Sequence, residues 1–413
     1  MWISCAFSKK VACPSWYTYH TVFLHPTICM HDFLEKIRGF WGELFKKKGE
    51  SVLGIDIGSS SIKIVQLRKA KGKAVLETYG ELALGPYAER AIGQATMLPA
   101  ENLALAVRDI IREANVSVKS GGIAIPLVSS LISVIELPQV SEKQLQTMIP
   151  IEARKYIPVP ISEVTLDWQI LPVEADTDVE VPPSAAERER GSDGSTAPKK
   201  AHALVVAIHN DIVARYQTIA TRDALDIWFL ESEIFSSTRS LLSLERGPVL
   251  LLDIGASTTK FSIVENGIPW STHVLSRGSQ DITLALSKSL GIGFREAEEV
   301  KRSVGMSGEG VHKDVADTVR FTLGTIFSSA NRMLLDFERH YGKTVEKVVL
   351  SGGGARLKGV EEVARANFSI EVTIADPFSK VVSPAFLEPV LKEAGPYFAV
   401  AVGIALRALE DLE

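Results

Sequence analysis

At 413 residues the chain is long enough for about three domain-sized units, and 46% hydrophobic against 23% charged residues is the balance of a globular protein with ample core. A formal net charge of −5 argues against a broadly basic nucleic-acid binder. All three cysteines, Cys5, Cys13 and Cys29, precede residue 30 in a spacing that matches no zinc pattern, which fits a reducing compartment and gives no support to a metal-thiolate class.

Residues 1–29 show neither the charged and apolar regions of a signal peptide nor a regular period, and Met30 opens a more regular segment, so a non-native or mis-called start is expected. From His31 to Lys48 the pattern is helical. Phe33, Leu34, Ile37, Phe40, Trp41, Leu44 and Phe45 recur on one face, and Lys46, Lys47 and Lys48 add a basic run. Such a basic amphipathic helix suits an anionic membrane surface, and it suits equally a docking face on its own domain or on a partner. No uninterrupted apolar run reaches about 18 residues, so no transmembrane helix is predicted.

The stretch from Val52 to Lys63 places an apolar strand before Asp56, then Gly58 with Ser59, Ser60 and Ser61, then a second apolar run: a hairpin with a narrow tip. Leu250 to Lys260 repeats the layout, with Asp253, Gly255, Ala256, Ser257 and Thr258 in the same order and Lys260 standing where the first copy has Lys63. Glycine and serine at a tip let backbone N–H groups approach phosphate oxygens, and an Asp at the strand end can hold Mg²⁺ through water. A single hairpin of this kind is more often an ordinary turn; two that can face each other are stronger evidence.

Between the copies, Ala74 to Leu84 reads as a strand, Leu103 to Ala114 as an amphipathic helix, and Ile123–Pro126 and Ser130 to Leu137 as strands. Ser141 and Gln144 form a capping-box start for a helix that Pro150 should kink. The run Glu152-Ala153-Arg154-Lys155-Tyr156-Ile157-Pro158-Val159-Pro160 reads as a helix stop, followed by a strand from Val164 to Ile170. Glu174 to Lys200 is rich in Asp, Glu, Pro, Ser and Gly without apolar periodicity and is expected to be a flexible excursion. Ala203–Ile208 then resumes as a core strand, with helices expected over Asp211–Ala220 and Glu231–Leu242.

Beyond the second hairpin, helices are expected over Ser279–Leu290, Arg295–Ser303 and Val315–Arg339. A buried strand, Val348–Leu350, runs into Ser351-Gly352-Gly353-Gly354-Ala355-Arg356 and a helix near Val360. The glycines permit close backbone approach to a flat ligand, and Arg356 offers a planar guanidinium able to stack on a base.

The order phosphate hairpin, phosphate hairpin, Gly-Gly-Gly-x-Arg resembles the actin, sugar-kinase and DnaK-type chaperone superfamily. Within it, the E-A-R-K-Y-I-P-V-P run at 152–160, the following D-W-Q-I-L, and Tyr397–Arg407 are similar to the PilM family of type IV pilus assembly proteins, over roughly Met30 to Leu409. The resemblance implies an α/β actin-like (RNase H-like) ATPase fold, with two duplicated domains of mixed five-stranded sheets around a nucleotide cleft and an FtsA-like inserted α+β subdomain. The expected division is an extension at 1–50; a first domain from 51–95, 201–247 and 389–413; the insertion at 96–172; a linker at 173–200; and a second domain at 248–388.

By the same resemblance the ligand is ATP with Mg²⁺, held by Asp56 and Asp253 on the metal and by Lys63 and both hairpin tips on the phosphates. Gly278 stands where relatives carry a glycine pair, and Glu298, Lys301, Gly352, Gly353, Gly354 and Arg356 frame the adenosine. Glu298 and Lys301, one turn apart, also have the spacing of a surface ion pair. Glu233, with Glu231 as rival, stands where relatives carry the residue that polarises the attacking water, although an ordinary Glu at a helix start fits equally.

The partner implied is the cytoplasmic N-terminal segment of PilN, in a groove between insertion and first domain near Arg154, Tyr156, Ile157 and Val159. Those side chains also suit simple attachment of the subdomain to its neighbour. The implied setting is the cytoplasm, attached to the pilus inner-membrane complex, with slow hydrolysis and self-association left open. An FtsA-like division protein and an ATP-binding adaptor without turnover are the rival readings; the C-terminal membrane helix usual in FtsA is not seen in residues 408–413.

Overall fold

The computed structural model describes residues 2–3, 51–171, 200–243, 245, 247–306 and 313–412. The expected amphipathic helix at 31–48, the three cysteines and the body of the linker lie outside them.

Strands β2 (Ser51–Ile57), β3 (Ser61–Lys69) and β4 (Ala74–Ala83) run antiparallel, and β5 (Ser120–Ile125) and β9 (Asp226–Ser232) extend the sheet in parallel. A two-residue strand, β1 (Trp2–Ile3), pairs outside β4, giving the order β1-β4-β3-β2-β5-β9 and six strands rather than the expected five. A second sheet repeats the plan. Its antiparallel half is β10 (Val249–Ile254), β11 (Thr259–Glu265) and β12 (Ile268–Leu275), followed in parallel by β13 (Lys347–Ser351) and β14 (Glu371–Ile374). Its order, β12-β11-β10-β13-β14, matches β4-β3-β2-β5-β9 of the first sheet, so the actin-like duplication expected from the two hairpins is present in the topology.

Both central strands are covered on two faces, which is why β2 and β10 read as continuous apolar runs instead of alternating ones. In the second domain one face meets α7 (Lys313–Tyr341), whose Val315, Val319, Leu323, Ile326, Phe327, Ala330 and Phe337 form a buried stripe at helical spacing. In the first domain α1 (Ala100–Glu113) and α3 (Asn210–Arg222) contribute Leu103, Val107, Ile110, Tyr216 and Ile219 to the core.

The helices that follow the last strand of each sheet cross over to the other domain. Helix α4 (Glu233–Leu241) follows β9, yet Ile234 and Phe235 pack with Val249, Leu251 and Val349 of the second sheet. Helix α9 (Glu388–Glu410) follows the second sheet and buries Phe398, Ala401, Val402, Ile404 and Ala405 in the first core. The sequence predicted no membrane-crossing segment; residues 385–410 are in fact long and apolar enough, but most of the segment is buried, packed on β2, β3 and α4. The two helices touch at Gly403, where a Cβ would fall 1.9 Å from the Ser236 carbonyl oxygen. Only hydrogen fits at that crossing.

The insertion is smaller than the sequence suggested. Helix α1 and β5 belong to the first domain, because β5 lies hydrogen-bonded between β2 and β9. Conversely, the run at 203–208 does not resume the first sheet. It forms the middle of β8 (Lys200–His209), which pairs antiparallel with β6 (Ser130–Pro138) and β7 (Val164–Ile170). Alternation divides β8: Ala203, Val205 and Ala207 face α2 (Glu142–Ala153), while Leu204 and Val206 join the cluster shared with α4 and the second sheet. Helix α2 starts in the predicted capping box of Ser141 and Gln144 and continues through Pro150 to Ala153.

Candidate functional site

The two hairpins face each other across a cavity of about 760 Å³ between the domains. Each tip is closed by the same backbone bond, Gly58 N–H to the Ser61 carbonyl and Gly255 N–H to the Thr258 carbonyl, both 3.0 Å. Each also places its Asp directly across the strand pair from its Lys: Asp56 opposite Lys63 and Asp253 opposite Lys260. All the tip residues singled out from sequence, Gly58, Ser59, Ser60, Gly255, Ala256, Ser257 and Thr258, line the cavity together with Asp56, Lys63 and Asp253.

The third wall is the turn after β13. Gly352, Gly353 and Arg356 line the cavity. Gly352 has φ +78°, and a Cβ there would fall 2.1 Å from Asp253 Oδ1, so glycine is what lets this turn close against the Asp253 carboxylate. Gly354 packs behind it on Ile254, and Gly278 lies behind the second tip, where Ser279 and Gln280 donate to the carbonyls of Gly255 and Ala256. Neither of these two glycines lines the cavity. Arg356 sits 4.7 Å from the centre of the Tyr397 ring and pairs with Glu393, so one face of its guanidinium is already stacked.

Glu298 and Lys301, on α6 (Phe294–Val304), line the same cavity as a buried pair rather than a surface one, 2.6 Å apart. Glu298 also accepts from Thr283 Oγ1 at 2.6 Å and Arg302 Nε at 2.7 Å, and Lys301 donates to the Ser279 carbonyl at 3.1 Å. Burial pushes the Glu298 pKa up, but Lys301, Thr283 and Arg302 outweigh it and hold the carboxyl below its usual value. From the first domain, the Ala95 N–H donates to Gln280 Oε1 at 3.1 Å, closing this side of the cleft.

The two rival glutamates separate clearly. Glu231, at the end of β9, is outside the cavity and fully committed: Arg239 approaches both its oxygens at 2.8 Å, Arg407 one at 3.2 Å, and Ser236 Oγ one at 2.7 Å. Burial raises its pKa, yet Arg239 and Arg407 outweigh that and bring it to about 2. It therefore cannot orient water, and the alternative of Glu231 as the catalytic group is set aside. Its place is structural, tying β9 to α4 and, through Arg407, to α9.

Glu233, two residues on and at the first position of α4, does line the cavity. Its Oε1 accepts from the Leu127 N–H at 2.5 Å and its Oε2 from Lys260 Nζ at 2.9 Å. Burial pushes its pKa up more than Lys260 pulls it down, and the nearby Asp253 and Asp56 charges add to the rise. Asp56 is raised for the same first reason, burial, with Lys63 and Lys260 opposing it. Asp56, Asp253 and Glu233 thus line one cavity near enough to act on one another's charge, but among the described residues no three such groups are placed to close on a metal ion by themselves, so a divalent cation here would take phosphate oxygens and water besides the carboxylates. Lysines at both hairpins and a glycine-lined wall suit phosphates and a flat ring, so the residues present fit the Mg²⁺–nucleotide expected from sequence.

Lys260 was not singled out for a role beforehand, although its seven-residue spacing from Asp253 repeats that of Lys63 from Asp56. Tyr397 was missed too; nothing in its sequence context marks it as the platform for Arg356.

The expected partner segment divides. Arg154 is exposed and Tyr156 is 45% exposed, but Ile157 is only 7% exposed and packs in the insertion's own core with Val159 against it. The apolar surface of Ile157 is therefore spent inside the insertion, and that of Val159 is covered there in part.

A sequence model of the family described as type IV pilus assembly protein PilM matches residues 54–409. A solved PilM–PilN type IV pilus biogenesis complex is similar at 25% identity with a TM-score of 0.70, over 88% of this chain and 99% of that one. The cell division protein FtsA of Helicobacter pylori strain J99 is 30% identical over 187 residues, 38% of this chain. The chain spans only 36% of that relative's length.

Proposed function

Because the chain belongs to the PilM family of type IV pilus assembly proteins, we propose that it serves pilus assembly as a nucleotide-binding switch on the cytoplasmic side of the inner membrane. The observation that carries the reading is the pair of hairpins, Asp56 to Lys63 and Asp253 to Lys260, opposed across one cavity. Asp56 and Asp253 would hold Mg²⁺, Lys63 and the tip amides the phosphates, and Gly353, Arg356, Glu298 and Lys301 the nucleoside. When bound, Mg²⁺–ATP supplies a charged bridge between the domains and a terminal phosphoanhydride open to slow hydrolysis. Glu233, in the cavity wall and with its proton affinity raised, is the group that would orient water there.

The partner is proposed to be the N-terminal cytoplasmic segment of PilN, since a similar chain is known in complex with that protein. The same cavity extends along the first domain, where Leu98, Leu103, Pro126, Val128, Ile212 and Tyr216 line it, Val128 standing just before the insertion's first strand. Val128 is 63% exposed, an apolar side chain available to a short extended peptide. The insertion meets the start of α3 at Ser162, whose carbonyl accepts from Asn210 Nδ2 at 3.0 Å; Tyr156 and Arg154 lie outside the cavity lining.

The Leu127 N–H, between Pro126 and Val128, is the donor that holds Glu233. A peptide that shifts this turn would therefore reach the phosphate side of the cavity, and linkage requires nucleotide to alter peptide affinity by the factor by which peptide alters nucleotide affinity. The test is calorimetry with a synthetic PilN N-terminal peptide, with and without Mg²⁺–ATP, repeated on Val128→Asp and Tyr156→Ala. Nucleotide-dependent binding weakened by Val128→Asp is expected. No binding in either state would remove the partner, and binding indifferent to nucleotide would leave an adaptor.

A further inference from the structure

The two hairpins are alike in sequence but not in their electrostatics. In the first, Lys63 Nζ stands 3.8 Å from Asp56. In the second, Lys260 Nζ lies 2.9 Å from Asp253 Oδ2 and 2.9 Å from Glu233 Oε2. The difference comes from the other domain: α4 begins beside the second hairpin and presents Glu233 to it, whereas no carboxylate of the second domain is bonded to Lys63 among the described residues. The Lys260 ammonium thus occupies the space between a first-domain and a second-domain carboxylate, with 17% of its side chain accessible.

A cation placed so is doing part of what a divalent ion would do. We propose that Lys260 is a built-in counter-cation of the cleft, which competes with Mg²⁺ for Asp253 and serves as a phosphate contact when metal is absent, so that it sets how strongly nucleotide binding depends on Mg²⁺. Lys260 Nζ already holds Oδ2 of Asp253, and its positive charge opposes a divalent ion brought to the same carboxylate. Loading Mg²⁺ would therefore weaken the Lys260–Asp253 bond, while the Lys260–Glu233 bond, which spans the domains, can persist. Asp56, whose only ion pair among the described residues is the longer one to Lys63, is the carboxylate that accepts the metal at less cost. The inference rests on the nucleotide reading given above and refines which residues carry its metal dependence.

Two affinities separate this from a merely structural role. In Lys260→Met, Asp253 is released to the metal and the phosphates lose a cation. ATP with excess EDTA should then bind about tenfold or more weakly, as expected for loss of one charge-assisted contact. ATP with Mg²⁺ should bind as well as to the parent or more tightly. The ratio of the two dissociation constants therefore rises about tenfold or more. Lys260→Arg, which keeps a cation, should hold the ratio within about threefold of the parent.

Removing the ammonium leaves two buried carboxylates unpaired, so the pair Lys260→Met with Glu233→Gln is measured alongside. It removes one charge of each sign, and should show the same rise in ratio. Folding of each variant is checked by circular dichroism. A ratio unchanged in both Met-containing variants, or equal weakening with and without Mg²⁺, would overturn the inference while leaving nucleotide binding in place. No binding of ATP to the parent protein under either condition would overturn the nucleotide reading and this inference with it.

Discussion

Replacing Glu231 by Gln keeps the shape of the side chain and removes the charge on which the interdomain helices converge. Arg239 and Arg407 would then face a neutral amide in a space where Arg407 is only 2% exposed. The carboxyl's fall from 4.5 to about 2, at about 1.4 kcal/mol for each tenfold in proton affinity, corresponds to about 3 kcal/mol of folding stability. Removing one partner of a buried pair costs about 3–5 kcal/mol by a separate route, which agrees. Because the folded-state pKa is depressed, this contribution is complete above pH 4.5 and is lost as pH falls toward 2.

Urea unfolding of parent and Glu231→Gln, followed by tryptophan fluorescence, should differ by about 3 kcal/mol at pH 7 and by about half of that at pH 3. A difference under about 1 kcal/mol at pH 7, or one that does not shrink at pH 3, would refute the assignment of Glu231 as the pin between β9, α4 and α9.

Glu233→Gln should lower any ATP hydrolysis at least tenfold while changing ATP affinity by less than about threefold, measured by phosphate release and calorimetry, because a water-orienting group acts after the nucleotide has docked. Hydrolysis at the parent rate would place the function elsewhere. Gly403→Ala should lower stability by about 2 kcal/mol or more, read as an earlier urea midpoint, since the new Cβ would lie 1.9 Å from the Ser236 carbonyl and force the helices apart. An unchanged midpoint would show that the crossing is not close-packed.

The hairpins were legible in the sequence because they are local: strand, Asp, Gly-rich tip and Lys follow one another within a single turn of chain, and the duplication repeats them in register. The boundary of the insertion was not. The runs at 121–125 and 203–208 are both short and without charge, and nothing within either run states that the first pairs with β2 and β9 while the second pairs with β6 and β7. That is decided by contacts distant in sequence. Glu231 and Glu233 were inseparable for a related reason. The strand-to-helix corner falls between them, at Ser232, and turns one carboxylate toward the arginines of α4 and α9 and the other into the cavity. Likewise Tyr156 and Ile157 look alike as apolar residues after a helix, until α2 and β8 are seen to cover the second alone.

The central claim is that both hairpins grip one Mg²⁺–nucleotide. Calorimetric titration of the parent protein, Asp56→Ala and Asp253→Ala with Mg²⁺–ATP tests it most directly. Saturable binding at one site per chain is predicted for the parent, with affinity reduced about tenfold or more in each variant while its circular dichroism is unchanged. Equal Mg²⁺–ATP affinity in all three proteins, or no saturable binding in the parent, would contradict it.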